Sequence, residues 1–418
     1  MQRRHFVQML AAGAMAGLIP VGRSAWATTL PDNAPPSKKK MVVVFLRGAV
    51  DGLSVVAPYA EPDYARFRPT IGLPAPGKTD GLLDLDGHFG LHPALGALMP
   101  LWSGGKLAFV HASGSPDPTR SHFDAQDYME SGTPGMKRTS DGWMNRLLGE
   151  LPGRPSPTRG LSVGAVLPRI YAGLVPVASM AEGQAATRPT ILDQPRVADA
   201  FAKLYDGNDA TSRTYRESIS ARREVLASLD PSALEKEQMA ANNGAPLPNG
   251  FPDDAARLAR LMRNDSNVQL AFVALGGWDT HAGQGTARGQ LANRLRPLGD
   301  GLAVLADRLG PMLDDTVVIV MSEFGRTARE NGNRGTDHGH GNAMWVMGGP
   351  VAGGKIHGRW PGIDEASLNE NRDLAITTDF RSVVADVAER HLALPDAQLD
   401  ALFPNRPAHG EAPRILRV

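Results

Sequence analysis

Short apolar runs, separated by polar and glycine-rich stretches, recur along this chain of 418 residues. Runs of this length that are rich in β-branched residues are typical of strands buried on both faces of a parallel sheet. They are MVVVFL (41–46), KLAFVHA (106–112), NVQLAFVAL (267–275), TVVIVM (316–321) and AMWVMGG (343–349). The pattern predicts that these five segments are strands of one sheet.

The segment between the third and fourth runs has a different period. Its leucines follow the spacing of one helix face, and they are Leu291, Leu295, Leu298, Leu302, Leu305 and Leu309. A strand, a helix and a strand in this order form a crossover unit, which is right-handed in nearly all proteins. The predicted fold class is therefore α/β, with a doubly wound, mainly parallel sheet covered by helices.

The first 27 residues are typical of an export signal of the twin-arginine type. They carry the pair Arg3 and Arg4, a weakly hydrophobic stretch, and the small-residue exit Ala25-Trp26-Ala27; an ordinary Sec signal is the alternative. The apolar stretch is shorter than the roughly 20 residues that cross a bilayer. We expect a periplasmic or extracellular protein, with the twin-arginine translocase as a partner during export and no stable membrane insertion.

Three further segments complete the predicted organisation. Residues 28–40 are polar and proline-rich, end in three lysines, and are interpreted as a linker. Residues 41–418 form the α/β domain. Within it, residues 194–264 are helical and polar in pattern and contain the stretch ANNGAPLPNGFP. We predict a helical insertion there, because sheet-forming runs lie on both sides of it.

Charge and composition exclude several classes of function. Lys plus Arg and Asp plus Glu both number 44, so nothing in the overall charge favours a nucleic-acid partner. The chain has no cysteine, which excludes disulfides, thiolate metal sites and a cysteine nucleophile. Any metal ligands must be His, Asp, Glu, Asn or hydroxyl groups.

Polar side chains concentrate directly after four of the five predicted strands. Asp51 follows the first, the stretch SGSPDPTRSHFDAQDYMESG (113–132) follows the second, GGWDTH (276–281) follows the third, and SEFGRTARENGNRGTDHGHG (322–341) follows the fourth. The carboxyl ends of parallel strands meet at one edge of a sheet, which is where ligands bind in such folds. The sequence predicts a shared polar site at this edge.

Each residue taken alone also has a structural interpretation. Asp51 suits a turn or a helix cap, and Ser121 suits the N-cap of a helix that begins at His122. Glu323 suits an ion pair with Arg326, and the whole set suits a buried ion network that ties loops together. The collection of these groups at one edge favours a functional site over independent caps.

The donor types suit a pair of divalent ions, with Zn²⁺, Mn²⁺ or Fe²⁺ favoured over Ca²⁺. Two such ions can activate a nucleophile and hold an anionic ester. The candidate catalytic residues are Ser121 as nucleophile at a helix N-terminus, His122, and Arg120 and Arg326 as clamps for the anion. The candidate metal ligands are Asp51, Ser121, Asp279, His281, Glu323, Asp337, His338 and His340.

Five motifs together resemble the bacterial DUF1501 family, which is grouped by fold with the alkaline phosphatase superfamily. They are FLRGAVDGLSVVAPY (45–59), RSHFDAQDYMESG (120–132), GGWDTH (276–281), SEFGRT (322–327) and TDHGHG (336–341). The resemblance implies an alkaline phosphatase-like doubly wound sheet with a two-metal site. It implies that Asp51 and Asp279 are ligands, that Ser121 or Thr119 is the nucleophile, and that His338 or His340 is a late ligand.

The sequence departs from that superfamily at two positions. His281 follows Asp279 by two residues, where better-known members place a histidine four residues on. Glu323 and Phe324 stand where an Asp-His pair is usual.

The function predicted from all these features is a metal-dependent hydrolase of phosphate or sulfate esters that acts on a small anionic substrate. The missing cysteine excludes sulfatase activity that relies on a modified cysteine. The alternative is a non-catalytic envelope protein of the same fold that binds a ligand or a partner.

Overall fold

The computed structural model describes residues 37–152, 156–164, 167–180, 240–407 and 413–417. The predicted export signal lies outside these residues. Most of the predicted linker and most of the predicted helical insertion lie outside them as well.

The described residues form strands that differ widely in length. The strands are β1 (Lys40–Leu46), β2 (Val56–Ala57), β3 (Leu83–Asp84), β4 (Gly90–Leu91), β5 (Leu107–Gly114), β6 (Gly160–Val163), β7 (Ala178–Met180), β8 (Leu270–Leu275), β9 (Thr316–Ser322), β10 (Asn342–Gly348), β11 (Lys355–His357) and β12 (Thr378–Asp379). All five apolar runs of the sequence are therefore strands, as predicted.

Helices connect and cover these strands. The α-helices are α1 (Gly52–Val55), α2 (Pro62–Phe67), α3 (Met99–Ser103), α4 (His122–Ser131), α5 (Trp143–Glu150), α6 (Phe251–Asn264), α7 (Gln290–Leu309), α8 (Phe380–Arg390) and α9 (Asp396–Leu402). Short 3₁₀ helices span Pro93–Leu98, Pro157–Arg159, Arg169–Tyr171, Pro248–Gly250 and Gly310–Asp315. Across the described part of the chain, no helix has the length and apolar character needed to cross a membrane.

The main sheet has the strand order β11-β5-β10-β9-β1-β8-β6-β7, and β12 also pairs with β5. β10 runs antiparallel to its neighbours β5 and β9, whereas the other pairings in this sheet are parallel. β1 lies at the centre, where Val43 pairs with Phe272 on one side and with Ile319 on the other. The predicted mainly parallel sheet is confirmed, with one antiparallel strand.

Both faces of this sheet are buried under helices. Alternate residues of β1, such as Val42 and Val44, pack in a core that includes Leu258 of α6 and Leu295 of α7. The intervening residues of β1 pack in a second core with side chains of α5, α8 and α9. This burial on two faces explains why the strands are uninterrupted apolar runs. All six leucines predicted to line one face of α7 are buried.

Two histidines are buried beside this core in an uncharged form. The Nδ1 atom of His111 accepts a hydrogen bond from the backbone N–H of Ala112, and its Nε2 atom donates to the carbonyl oxygen of Val56 at 2.8 Å. His92 likewise accepts from the N–H of Ala94 and donates to the carbonyl of Thr286. Burial lowers the pKa of each imidazole to about 4. Protonation of the Nδ1 atom would place the new imidazole N–H against the backbone N–H that donates to it.

We expect these two histidines to destabilise the fold in acid. Because each folded pKa lies below the unfolded value of about 6.5, the unfolded chain binds more protons between these two values, and stability is lost as the pH falls through that range. From pH 6.5 to 5 the expected loss is about 2 kcal/mol for each histidine. Urea unfolding of wild type and His111→Gln across this range measures it. Equal pH slopes for the two proteins would contradict the expectation.

Candidate metal centre

Three histidines from separate loops meet at the carboxyl-terminal edge of the main sheet. His122 is the first residue of α4, in the connection that follows β5. His281 follows β8, and His338 lies in the long loop after β9. The edge predicted from the sequence therefore does bring polar groups of distant segments together.

The Nε2 atom of His338 approaches the Nε2 atoms of both other imidazoles. It lies 2.9 Å from that of His122 and 2.9 Å from that of His281. Asp279 lies beside them, with Oδ1 3.0 Å from Nε2 of His281 and 3.3 Å from Nε2 of His338. The other oxygen of Asp279, Oδ2, lies 3.5 Å from Nε2 of His122. We call these four residues the imidazole cluster.

The Nδ1 atom of each imidazole faces an oxygen that can only accept a hydrogen bond. Nδ1 of His122 lies 2.8 Å from Oε1 of Glu323, and Nδ1 of His338 lies 2.9 Å from the carbonyl oxygen of Arg120. Nδ1 of His281 lies 3.3 Å from Oδ1 of Asp337. These partners assign the proton of each neutral ring to Nδ1. All three Nε2 lone pairs then point inward.

A positive charge at the centre of the cluster is therefore strongly stabilised. Lone pairs at 2.9 Å from one another repel, and the carboxylate of Asp279 adds a negative charge beside them. Burial raises the pKa of Asp279, but hydrogen bonds to the three imidazoles and the charge of Arg326 lower it far below the ordinary value. Burial likewise lowers the pKa of His122, yet bonds to Asp279 and Glu323 raise it to about 9.

This donor set fits a divalent metal ion. Ligand atoms of His122, Asp279 and His338 lie within 4.8 Å of one another, and His281 adds a third imidazole. Three imidazole nitrogens and one carboxylate are donors preferred by Zn²⁺ and related ions. Each imidazole is held from behind by a hydrogen bond, as metal-binding histidines usually are.

The loop from Ser322 to Gly341 folds back on itself to present His338. Gly325 donates its N–H to the carbonyl of His340 at 2.8 Å, and Thr327 donates to the carbonyl of Asp337 at 3.0 Å. A Cβ atom on Gly325 would lie 1.8 Å from the carbonyl oxygen of Gly341. A glycine is therefore required at position 325 by the close approach of two backbone segments.

Glu323 orients an imidazole and lies fully buried. Besides His122, it accepts hydrogen bonds from the N–H of Gly48 at 2.8 Å and from Nε2 of Gln126 at 3.0 Å. Burial raises its pKa, but the bonds and the charge of His122, with the bond from Gln126, lower that pKa to about 2. Its position behind His122 is that of a carboxylate that fixes a ligand ring. Asp337 stands in the same relation to His281.

Arg326 lies beneath the cluster and is 1% exposed. Its guanidinium donates to Asp279 and to four backbone carbonyls, those of Gly48, Ala49, Trp278 and Thr336. These bonds engage the side chain that the sequence proposed as an anion clamp. They tie the loops after β1, β8 and β9 to one another.

Asp51, expected from the sequence to be a metal ligand, lies outside the imidazole cluster. It is fully buried and pairs with Arg68 through both carboxylate oxygens, at 2.6 and 3.0 Å. Burial raises its pKa, but the charge and hydrogen bonds of Arg68 outweigh this and lower it. The structure thus places Asp51 in an ion pair that sequence reasoning did not include.

The remaining predicted residues are Ser121, Arg120 and His340. Ser121 is exposed and is the N-cap of α4, as the structural interpretation required, although its side chain makes no capping bond. Its N–H donates to Oγ1 of Thr119 at 3.3 Å. Arg120 forms ion pairs with Glu370 and Asp373. His340 is half-buried and lies outside the cluster, and burial lowers its pKa.

Several residues that complete the site were not identified from the sequence. Arg68 neutralises Asp51, Gln126 supports Glu323, and Gln284 donates to Asp51 at 2.8 Å. Asn331 donates to Oδ1 of Asp337 at 2.9 Å. Gln126 lies within the motif RSHFDAQDYMESG (120–132), but nothing in the sequence marked it as a partner of Glu323, and Arg68, Gln284 and Asn331 lie outside the five motifs.

The fold and the site define an α/β protein with a polar centre, suited to a metal ion, at the carboxyl ends of a mainly parallel sheet. A family model described as "Protein of unknown function (DUF1501)" matches residues 38–403. The chain belongs to this family, and the resemblance seen in the sequence motifs is confirmed. No curated protein matches the chain.

Solved structures that resemble the chain include members of the alkaline phosphatase superfamily. One is a protein of that superfamily from Vibrio parahaemolyticus, with 12% identity, a TM-score of 0.35, and coverage of 83% of this chain and 69% of that one. The C-terminal periplasmic domain of EcEptC from Escherichia coli, in complex with Zn, has 10% identity, a TM-score of 0.34 and 77% coverage of each chain. Ps i-CgsB in complex with k-i-k-neocarrahexaose has 10% identity, a TM-score of 0.38, and coverage of 90% and 74%.

Proposed function

We propose that this protein is a metal-dependent hydrolase of small phosphate or sulfate esters. The observation that carries the proposal is that the Nε2 atom of His338 lies 2.9 Å from the Nε2 atoms of both His122 and His281, beside the carboxylate of Asp279. Asp279 contacts Arg326 and all three imidazoles, and the Nε2 atom of His338 faces the Nε2 atoms of His122 and His281.

His122, His281, His338 and Asp279 would hold the ion. When bound, such an ion polarises the ester and stabilises developing negative charge on its oxygens. Glu323, Asp337 and the carbonyl of Arg120 keep each ring in the tautomer that binding needs. Burial of Asp279 strengthens its attraction for a cation.

Ser121 is the proposed nucleophile. Its hydroxyl stands at the N-terminus of α4, where free backbone N–H groups and the helix dipole favour an oxyanion and a bound anionic ester. Attack forms the bond from Oγ to phosphorus or sulfur, the ester oxygen leaves with the bonding pair, and the hydroxyl proton passes to solvent. Water then cleaves the new bond and returns a proton to Ser121.

Hydrolysis of aryl phosphates and aryl sulfates by the metal-loaded protein tests this proposal. We expect Ser121→Ala to lower kcat at least about 100-fold while the bound metal is retained, because the nucleophile is lost and the ligands are not. Thr119→Ala is the matched control, since it removes a hydroxyl two residues away. Activity lost in Thr119→Ala and retained in Ser121→Ala would transfer the role to Thr119. Absence of bound metal in the wild type would end the proposal.

Non-catalytic binding is the second candidate function, and a specific observation favours it. Asp51, predicted as a metal ligand, and Arg326, predicted as an anion clamp, are engaged within the protein by Arg68 and by Asp279. A protein that binds its metal but turns over none of the tested esters would have this function.

The export route remains part of the proposal. We infer from the sequence that residues 1–27 direct the chain through the twin-arginine pathway to the periplasm or beyond.

A further inference from the structure

The strongest unexplained feature of the site is the buried ion pair between Asp51 and Arg68. The sequence expectation of two metal ions placed Asp51 among the ligands. In the structure its carboxylate receives four donors: both terminal nitrogens of Arg68, Oγ of Ser54 at 2.7 Å, and Nε2 of Gln284 at 2.8 Å. Both carboxylate oxygens are therefore already engaged.

The guanidinium of Arg68 is held as firmly as the carboxylate. Its Nε atom donates to the carbonyl of Ala328 at 2.9 Å. Its terminal nitrogens donate to Asp51, to Oγ of Ser54, and to the carbonyl of Thr327 at 2.9 Å. These bonds use all the N–H groups of the guanidinium. The Arg68 side chain is 1% exposed and that of Asp51 0%, so the pair is closed to solvent and electrically neutral.

The other predicted carboxylate ligands are engaged as well. Glu323 holds His122 from behind and receives Gly48 and Gln126. Asp337 receives Asn331 and lies behind His281. Among the described carboxylates proposed from the sequence, Asp279 alone lies against the converging Nε2 atoms.

We propose that the protein binds one divalent ion, at the imidazole cluster, and that the guanidinium of Arg68 permanently occupies the Asp51 carboxylate in place of a second ion. This inference rests on the proposed metal centre and specifies its stoichiometry. A second ion at Asp51 would have to displace a buried cation that is bonded in every direction, which is strongly unfavourable. Because the Arg68 cation is fixed, one exchangeable metal ion remains at the carboxyl-terminal edge of the sheet.

A count of bound metal tests the inference without reference to activity. The full chain is equilibrated with excess Zn²⁺, desalted, and measured for zinc and protein. We expect one ion per chain in the wild type. We expect the same count in the double variant Asp51→Leu with Arg68→Met, which replaces the ion pair by apolar side chains and avoids leaving a buried charge alone.

The outcomes distinguish this inference from the proposed function. One ion in both proteins supports both proposals. Two ions in the wild type that fall to one in the double variant would overturn the role of Arg68 and leave the metal-dependent hydrolase intact. No ion in the wild type would overturn both. If the double variant fails to fold, the electron paramagnetic resonance spectrum of the Mn²⁺-loaded wild type decides: isolated Mn²⁺ supports one ion, and a coupled pair of ions refutes it.

Discussion

Replacing His338 by alanine is expected to abolish metal binding and hydrolysis together. The Nε2 atom of His338 is the one that lies 2.9 Å from both of the other imidazole nitrogens, so its loss opens the centre of the ligand set. Removing groups that merely support a ligand weakens metal affinity about 10- to 100-fold. Loss of the ligand itself should exceed that, and metal titration of the purified protein measures it.

His340→Ala is the matched control for this experiment. His340 belongs to the same glycine-rich loop and lies two residues further on, but its ring is outside the imidazole cluster. We expect this variant to keep its metal. Equal metal affinity in His338→Ala and the wild type would refute the assignment of the cluster. Loss of metal in His340→Ala alone would transfer the late ligand to that residue.

Replacing Arg326 by methionine is expected to cost about 3–5 kcal/mol of unfolding free energy. The change removes a guanidinium from the buried carboxylate of Asp279, and it removes the Arg326 donors from four loop carbonyls. Unsatisfied buried groups of this kind carry a large desolvation penalty. Urea unfolding of the metal-free protein measures the loss without the contribution of a bound ion.

Arg329→Met provides the comparison on the same loop. Arg329 pairs with Glu365 at the surface, where its side chain is 43% exposed. Exposed pairs contribute about 0–1 kcal/mol, so we expect a loss within that range. A similar loss in both variants would show that Arg326 does not tie the loops together.

The strands and the edge that holds the site follow from simple patterns in the sequence. Buried parallel strands are apolar throughout, so β1, β5, β8 and β9 are visible as runs such as TVVIVM. Because parallel strands end at one edge, polar residues such as Asp279 and His338 were expected to meet there. The antiparallel direction of β10 was not evident, since an apolar run carries no information about direction.

Which polar residues are metal ligands and which form ion pairs could not be predicted from the sequence. A carboxylate binds a metal or pairs with an arginine according to what lies across from it in space. Arg68 stands 17 residues after Asp51 and shares no motif with it. Glu323 resembled a ligand because it follows a strand, yet Nδ1 of His122 and the N–H of Gly48 face it. Such partners come from distant segments, and spacing along the chain does not reveal them.

The distance along the chain between the clustered imidazoles has a consequence for how the folded state is held. His122 and His338 are 216 residues apart, and the sequence contains no cysteine. An ion bound by both would act as a reversible cross-link that closes a very long loop, as a disulfide does in many proteins. The unfolded chain has no such site, so the affinity for metal would be part of the folding free energy. The folded state would be stabilised by an ion that a chelator can remove.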